Sequence, residues 1–199
     1  MRIKVCGLTR LDDALQAAAL GADALGFVLW PESPRAITLP HLRLIVEQLP
    51  PFVTVVGVCV APTTDDLRQA RAAGIHVAQV HGECPVVPDG LAVLPAAHLA
   101  AAGDEIEPLV PGSGAVLLDA HDPVRRGGTG RTIDWARAAR VARTRSVILA
   151  GGLTPDNVGE AIGVVRPYGV DVASGVEAEP GVKDHHKLAA FIAAVRAHA

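Results

Sequence analysis

Aromatic side chains are scarce in this chain of 199 residues, which has two tryptophans, one tyrosine and three phenylalanines. Because 50% of the residues are nevertheless hydrophobic, the core must be built from Ala, Val, Leu and Ile. A charged fraction of only 20% excludes a disordered chain, and the aliphatic composition favours a layered α/β domain. The length suits one domain better than two, so we assign residues 1–199 to a single compact domain.

Long apolar runs, a strong charge of one sign and a cysteine framework are also missing. Apolar runs break well before roughly 18 residues, which argues against a spanning helix, and the amino-terminal residues lack a signal-peptide pattern. A formal net charge of −3 argues against nucleic acid or an anionic membrane as a partner. Cys6, Cys59 and Cys84 are odd in number and lack metal-ligand spacing. They predict free thiols, no metal site and a cytoplasmic location.

Short β-branched segments alternate with alanine-rich segments along the chain, which predicts strands alternating with helices. The predicted strands are 2–6, 24–29, 53–60, 76–80, 91–95, 115–119, 146–150 and 169–173. The predicted helices are 11–20, 39–49, 64–73, 134–143 and 184–197, with a further helix start at Thr154-Pro155. Thr9 with Asp12, and Thr63 with Asp66, have the spacing of a helix capping box.

The strand count predicts a (β/α)₈ TIM barrel, with about 25 residues in each unit. The alternative is an open doubly wound sheet, but the G-x-G-x-x-G turn expected after its first strand is absent. Residues 82–114 are the weakest part of this prediction, because Pro and Ala are frequent there and the helices are poorly marked.

In such a barrel the active site lies at the carboxyl ends of the strands. Asp119 ends the apolar segment AVLLD, where partial burial would raise its pKa and suit it to general-acid catalysis. The alternative is that Asp119 caps the following turn. Cys6 ends the first strand, and a buried cysteine is by default a small hydrophobic residue. Gln79 and His81 stand at the end of the fourth strand.

A stiff loop and three glycine-rich loops follow other strands. Arg35, in the segment PESPR, could bind a carboxylate through two parallel hydrogen bonds or could pair with Glu32. The segments GGTG (127–130), AGGLT (150–154) and ASGVE (173–177) follow strands six to eight, where barrels of this kind bind phosphate. Tight turns are the other explanation for each loop. The residues assigned to phosphate are Gly128, Gly130, Gly151, Gly152, Ser174 and Gly175.

Seven segments resemble the phosphoribosylanthranilate isomerase family, in the order in which that family has them. They are KVCGLT (4–9), GFVLWPESPRAIT (26–38), QVHGE (79–83), LLDA (117–120), GGTGRTIDW (127–135), LAGGLTPDNV (149–158) and VDVASGVEAEPGVKD (170–184). The resemblance is specific and spans nearly the whole chain, and only about 84–114 departs from it.

The resemblance implies a TIM-barrel isomerase of tryptophan biosynthesis that performs an Amadori rearrangement of a phosphosugar–anthranilate substrate without a cofactor. It implies that Asp119 is the general acid and that Cys6, as a thiolate, is the general base. It further implies that Arg35 binds the anthranilate carboxylate and that the glycine-rich loops hold the phosphate. Lys4 shares a strand face with Cys6 and is therefore a candidate to stabilise the thiolate.

Two other functions remain open from the sequence. One is another phosphosugar barrel, such as an epimerase or the histidine-pathway isomerase, although the latter is expected to use two carboxylates and Cys6 argues against it. The other is a phosphate-sensing barrel, which would need neither Cys6 nor Asp119. Both a monomer and a homodimer are compatible with the composition.

Overall fold

The computed structural model describes residues 1–99, 105–107, 114–119 and 133–198. The strands in chain order are β1 (Arg2–Val5), β2 (Ala24–Val28), β3 (Thr54–Val60), β4 (Val77–His81), β5 (Ala92–Leu99), β6 (Ile106–Glu107), β7 (Val116–Asp119), β8 (Val147–Leu149), β9 (Gly169–Val172), β10 (Glu177–Glu179) and β11 (Val182–Lys183). All except β6, β10 and β11 pair in parallel, and β9 pairs with β1 to close the sheet. The predicted (β/α)₈ barrel is confirmed.

Six α-helices lie between or after these strands in the described part of the chain. They are α1 (Leu11–Leu20), α2 (Leu39–Val46), α3 (Thr64–Ala72), α4 (Trp135–Ala142), α5 (Val158–Val165) and α6 (His185–His198). The capping box at the start of α3 is confirmed, because the Thr63 hydroxyl accepts from the Asp66 amide and the Asp66 side chain accepts from the Thr63 amide. These bonds satisfy amide donors that a helix start leaves without partners.

The capping box predicted for Thr9 and Asp12 is wrong. Helix α1 takes Arg10 at its N-cap position without a side-chain cap. The Thr9 hydroxyl instead donates to the carbonyl oxygen of Gly181 at 2.6 Å. A tertiary hydrogen bond therefore replaces the local one, and it ties the loop after β1 to the β10–β11 hairpin.

The connection between β4 and β5 contains no helix, and β5 differs from its prediction. Residues 82–91 form turns and irregular backbone. Strand β5 extends from Ala92 to Leu99, beyond the predicted 91–95, because parallel pairing with β4 and β7 satisfies its backbone. The segment AVLPAAHL lacks clear alternation, so its length could not be predicted from local pattern.

Most of the aliphatic core lies between the sheet and the surrounding helices, with a smaller cluster inside the barrel. The interior cluster contains Leu94, Ala96, Leu117 and Ala150. Nearer the carboxyl ends of the strands, Cys6 packs with Val28 and Val58. No helix in the described ranges has both the length and the apolar character needed to cross a bilayer.

Candidate active site

A cavity of about 540 Å³ opens at the carboxyl ends of the barrel strands. Its lining includes three residues that were predicted to act in catalysis or binding, namely Cys6, Arg35 and Asp119. Cys6 directly follows β1, Asp119 is the half-buried last residue of β7, and Arg35 lies in the loop after β2. The fold thus brings together side chains that are far apart in sequence, at the end of the barrel where active sites lie.

The Cys6 side chain lines this cavity and is largely buried, since the residue is only 8% exposed. Its amide donates to the carbonyl oxygen of Val172 at 2.8 Å. A Cβ atom placed on Gly26 would lie 2.9 Å from the Cys6 sulfur, so the sulfur packs directly over the glycine backbone. Gly26 is therefore required to leave room for the thiol.

Burial raises the pKa of the Cys6 thiol above its ordinary value, because a thiolate is poorly solvated there. The nearby charges act in both directions. The ammonium groups of Lys4 and Lys183 lower the thiol pKa, whereas the Asp171 carboxylate raises it. The two cations thus offset part of the burial effect, and only a minor fraction of Cys6 is ionised at neutral pH.

Lys4 and Asp171 form a buried ion pair on neighbouring strands. They occupy matching positions in β1 and β9, and Lys4 Nζ lies 2.8 Å from Asp171 Oδ1. Burial lowers the Lys4 pKa, but the charge of Asp171, with that of Cys6 when it is ionised, outweighs burial and leaves the pKa raised. Lys4 therefore keeps its charge although it is buried.

Arg35 pairs with Glu177, so its predicted alternative pairing with Glu32 is wrong. Arg35 Nε donates to Glu177 Oε1 at 2.9 Å, and Arg35 Nη2 donates to Glu177 Oε2 at 2.7 Å. The hydrogen bond to Glu177 raises the Arg35 pKa. Burial alone would raise the Glu177 pKa, but Arg35 and Lys183 outweigh burial and lower it. Arg35 and Glu177 are thus held in their charged forms, whereas burial lowers the Lys183 pKa and the charge of Glu177 only partly offsets that effect.

Glu177 and Lys183 were not identified as site residues from the sequence. Both are buried, at 7% and 4% exposure. Lys183 Nζ donates to the carbonyl oxygens of Cys6 at 2.6 Å and Ala173 at 3.1 Å, and to Glu177 Oε1 at 2.9 Å. Their positions in the segment VEAEPGVK carry no periodic signal, because an antiparallel hairpin of β10 and β11 brings them together.

Gln79 and His81 line the same cavity from β4. Gln79 is 3% exposed, and its Nε2 lies 3.0 Å from His81 Nε2. Among the described residues, Gln79 Oε1 has no hydrogen-bond partner. One end of this amide is therefore paired while the other is enclosed and unpaired, which is costly in a folded protein.

The glycine-rich loops after β8 and β9 contact one another. Gly151 and Gly152 adopt positive φ angles of 84° and 65°, which glycine tolerates without steric cost. A Cβ atom on Gly175 would overlap the carbonyl oxygen of Leu153. Ser174 begins a short 3₁₀ turn, Ser174–Val176. The predicted residues Gly128 and Gly130 lie outside the described residues.

Comparisons with known proteins agree on one family. The family model described as N-(5'phosphoribosyl)anthranilate (PRA) isomerase matches residues 3–194. The N-(5'-phosphoribosyl)anthranilate isomerase of Pseudomonas fluorescens is 44% identical over 207 residues, which cover 98% of each chain. The crystal structure of phosphoribosyl anthranilate isomerase from Thermus thermophilus covers 99% of each chain, with 43% identity and a TM-score of 0.87.

A further solved structure of this kind has a bound ligand. It is a phosphoribosyl anthranilate isomerase in complex with reduced 1-(o-carboxyphenylamino)-1-deoxyribulose 5-phosphate, with 34% identity, a TM-score of 0.81 and 99% coverage of each chain. The fold, the cavity and these full-length similarities agree. The chain belongs to the N-(5'-phosphoribosyl)anthranilate isomerase family.

Proposed function

We propose that this protein catalyses the Amadori rearrangement of N-(5-phosphoribosyl)anthranilate to 1-(2-carboxyphenylamino)-1-deoxyribulose 5-phosphate in tryptophan biosynthesis. The observation that carries this proposal is the presence of Cys6, Arg35 and Asp119 around one cavity of about 540 Å³. That volume suits a ligand of this size. A thiol and a carboxyl group on different strands can serve as base and acid on different sides of a bound sugar.

Asp119 is the proposed general acid. It transfers its proton to the furanose ring oxygen, the bond from that oxygen to C1 breaks, and the nitrogen lone pair forms a Schiff base. The Cys6 thiolate then removes the proton from C2, and the electron pair forms the C1–C2 double bond of an enolamine. Tautomerisation gives the ketone, so C2 is oxidised and C1 is reduced within one molecule.

The environment of Cys6 sets how much of this base is available. Burial raises the thiol pKa, and a general base works only in its deprotonated form. Turnover limited by proton removal should therefore increase with pH above neutrality. Lys4 and Lys183 lower the thiol pKa, and we therefore assign both cations a role in stabilising the Cys6 thiolate.

The two ends of the substrate carry negative charge, and each end has its own binding group. Arg35 binds the anthranilate carboxylate. Backbone amides of Gly151, Gly152, Ser174 and Gly175, with Gly128 and Gly130, bind the phosphate. Contact between the loops after β8 and β9 supports this assignment, because neighbouring glycine-rich loops can direct several N–H groups at one anion.

The proposed assembly is a monomer or a homodimer, and a dimeric phosphoribosylanthranilate isomerase of Thermotoga maritima is among the similar solved structures. Cys6, Cys59 and Cys84 are free thiols, which supports a reducing, cytoplasmic setting.

The test is direct conversion of the substrate. Freshly formed N-(5-phosphoribosyl)anthranilate is mixed with the protein, and the loss of its anthranilate-type fluorescence is followed over time. We expect a rate proportional to protein concentration and identification of the aminodeoxyribulose phosphate by the NMR signal of its C2 ketone, because substrate and product are isomers of equal mass. Absence of conversion at high protein concentration would overturn the proposed function.

A further inference from the structure

Arg35 is held on two sides before any ligand binds. Its aliphatic stem passes over Gly7, where an added Cβ atom would lie 2.7 Å from Arg35 Cδ. Its Nε and Nη2 groups donate to Glu177, at 2.9 Å and 2.7 Å. An arginine side chain normally has many rotamers, and binding a ligand must remove that freedom. Here the protein removes it in advance.

The Glu177 carboxylate is itself fixed by several donors. Besides Arg35, its Oε1 accepts from Lys183 Nζ at 2.9 Å and from the Gly181 amide at 3.3 Å. Lys183 uses its three N–H groups on Glu177 and on the carbonyl oxygens of Cys6 and Ala173. The position of the Arg35 head group is therefore set relative to the backbone of Cys6.

Pairing with Glu177 still leaves the guanidinium able to bind a second carboxylate. A guanidinium has five N–H groups, and Glu177 takes the Nε edge. The opposite edge, formed by Nη1 and Nη2, has the paired N–H geometry that suits a carboxylate. With two cations and one anion, the cluster of Arg35, Glu177 and Lys183 has a net charge of +1 in the charged forms that their pairing favours, which favours an anionic ligand.

From this geometry, and on the basis of the proposed function, we propose that Glu177 is a positioning residue that makes Arg35 selective for substrates with an aromatic carboxylate. Glu177 acts through Arg35 and does not touch the reacting atoms. Its removal should therefore affect the recognition of the carboxylate much more than the chemistry at C1 and C2.

The experiment compares two substrates that differ only in the carboxylate, N-(5-phosphoribosyl)anthranilate and N-(5-phosphoribosyl)aniline. We expect the Glu177→Gln variant to lower kcat/KM for the anthranilate compound about 10-fold, through KM, because a charge-assisted pairing is lost. The value for the aniline compound should change less than about 2-fold. In an Arg35→Ala background, Glu177→Gln should leave the ratio of the two values unchanged.

Equal losses for both substrates, or a further change of the ratio in the Arg35→Ala background, would overturn the proposal. If the Glu177→Gln variant does not fold because Lys183 is left unpaired, the double variant Glu177→Gln/Lys183→Met removes that ammonium. For the double variant only the ratio of kcat/KM for the two substrates is compared, because loss of Lys183 raises the Cys6 thiol pKa for both. Measurements on the wild-type protein distinguish failure of the proposed function from failure of the proposed role of Glu177. No conversion of the anthranilate compound overturns both, whereas conversion without preference for the carboxylate overturns only the role of Glu177 and Arg35.

Discussion

Lys4 Nζ lies 2.8 Å from Asp171 Oδ1 in the barrel interior, and both residues influence the ionisation of Cys6. Lys4 lowers the thiol pKa and Asp171 raises it. The pair thus carries no net charge, but its two members act on Cys6 in opposite directions, and Lys4 has the larger effect on the thiol pKa.

The Lys4→Met variant should move the pH dependence of turnover. Removing the cation leaves the Asp171 carboxylate, so the thiol pKa rises further and less thiolate exists at neutral pH. We expect kcat/KM at pH 7 to fall about 10-fold, corresponding to a change of about one pH unit in the thiol titration, and to recover as the pH is raised.

The unpaired Asp171 will also lower the stability of this variant, so the measurement is a pH–rate profile at a temperature where the variant remains folded. Lys4→Arg retains the charge and serves as the control. A Lys4→Met profile that rises over the same pH range as that of the wild type would contradict the assignment.

Cys6→Ser and Asp119→Asn should each remove turnover while leaving ligand binding nearly intact. Both substitutions keep the approximate shape of the side chain but remove the proposed base or the proposed acid. We expect kcat to fall at least about 100-fold in each variant. Affinity for the reduced product analogue, measured by calorimetry, should change less than about 3-fold. Near-normal turnover of either variant would show that its assigned role is wrong.

Gln79→Met should separate stability from activity. Methionine has a similar length but no enclosed polar atom, so the melting temperature should stay the same or increase. The amide lines the cavity, and its loss should lower kcat/KM by about 10-fold. Gln48→Met is the matched control, because Gln48 is exposed and its side-chain amide donates to the carbonyl oxygen of Leu44. A variant that is less stable but fully active when folded would assign Gln79 a purely structural role.

Cys59 should make stability decline at alkaline pH. Burial raises its pKa to about 11, whereas an unfolded thiol ionises near about 8.5. Between these values the folded state binds more protons than the unfolded state, so the free energy of unfolding falls as pH rises. The contribution is about 3 kcal/mol for a group that is 6% exposed.

The measurement is urea unfolding of the wild type and Cys59→Ala at several pH values from 8 to 11. The free energy of unfolding of the wild type should fall more steeply with pH than that of Cys59→Ala. The difference in stability between the two proteins should therefore narrow as the pH is raised. Cys84 is exposed, and Cys84→Ala should retain the steeper decline of the wild type. Parallel curves for the wild type and Cys59→Ala would contradict the expectation.

Gly175→Ala and Gly163→Ala should have opposite effects. A Cβ atom at Gly175 would overlap the Leu153 carbonyl oxygen, whereas nothing lies within 4 Å at Gly163 in α5. We expect Gly163→Ala to raise the free energy of unfolding by about 1 kcal/mol. Gly175→Ala should lower it and weaken competitive inhibition by inorganic phosphate, because the two loops must separate. Unchanged inhibition in a folded Gly175→Ala variant would argue against a phosphate site there.

Part of the site could be predicted from the sequence because strand ends converge in a barrel. Once the strands were assigned, Cys6 and Asp119 followed from their positions at the carboxyl ends. The partner of Arg35 could not be predicted, because Glu177 is 142 residues away and reaches it only through the hairpin of β10 and β11. Glu32 is near in sequence, but proximity along a loop does not determine the direction of a long side chain.

The difference between local and long-range contacts also explains why one capping-box prediction is confirmed and the other is wrong. The Thr63 and Asp66 box depends only on residues three apart, and it was predictable. Thr9 has an equivalent local pattern, but its hydroxyl finds the Gly181 carbonyl oxygen, 172 residues away. Tertiary contacts of this kind override a local preference worth about 1 kcal/mol.

Closure of the barrel by β1 and β9 has a consequence for synthesis of the chain. Lys4 meets Asp171 across 167 residues, and Lys183 reaches the Cys6 carbonyl oxygen across 177. A ribosome delivers the thiol long before it delivers these partners, and contacts of such separation form late. The Cys6 thiol therefore acquires the charged groups around it only after nearly the whole chain has been made.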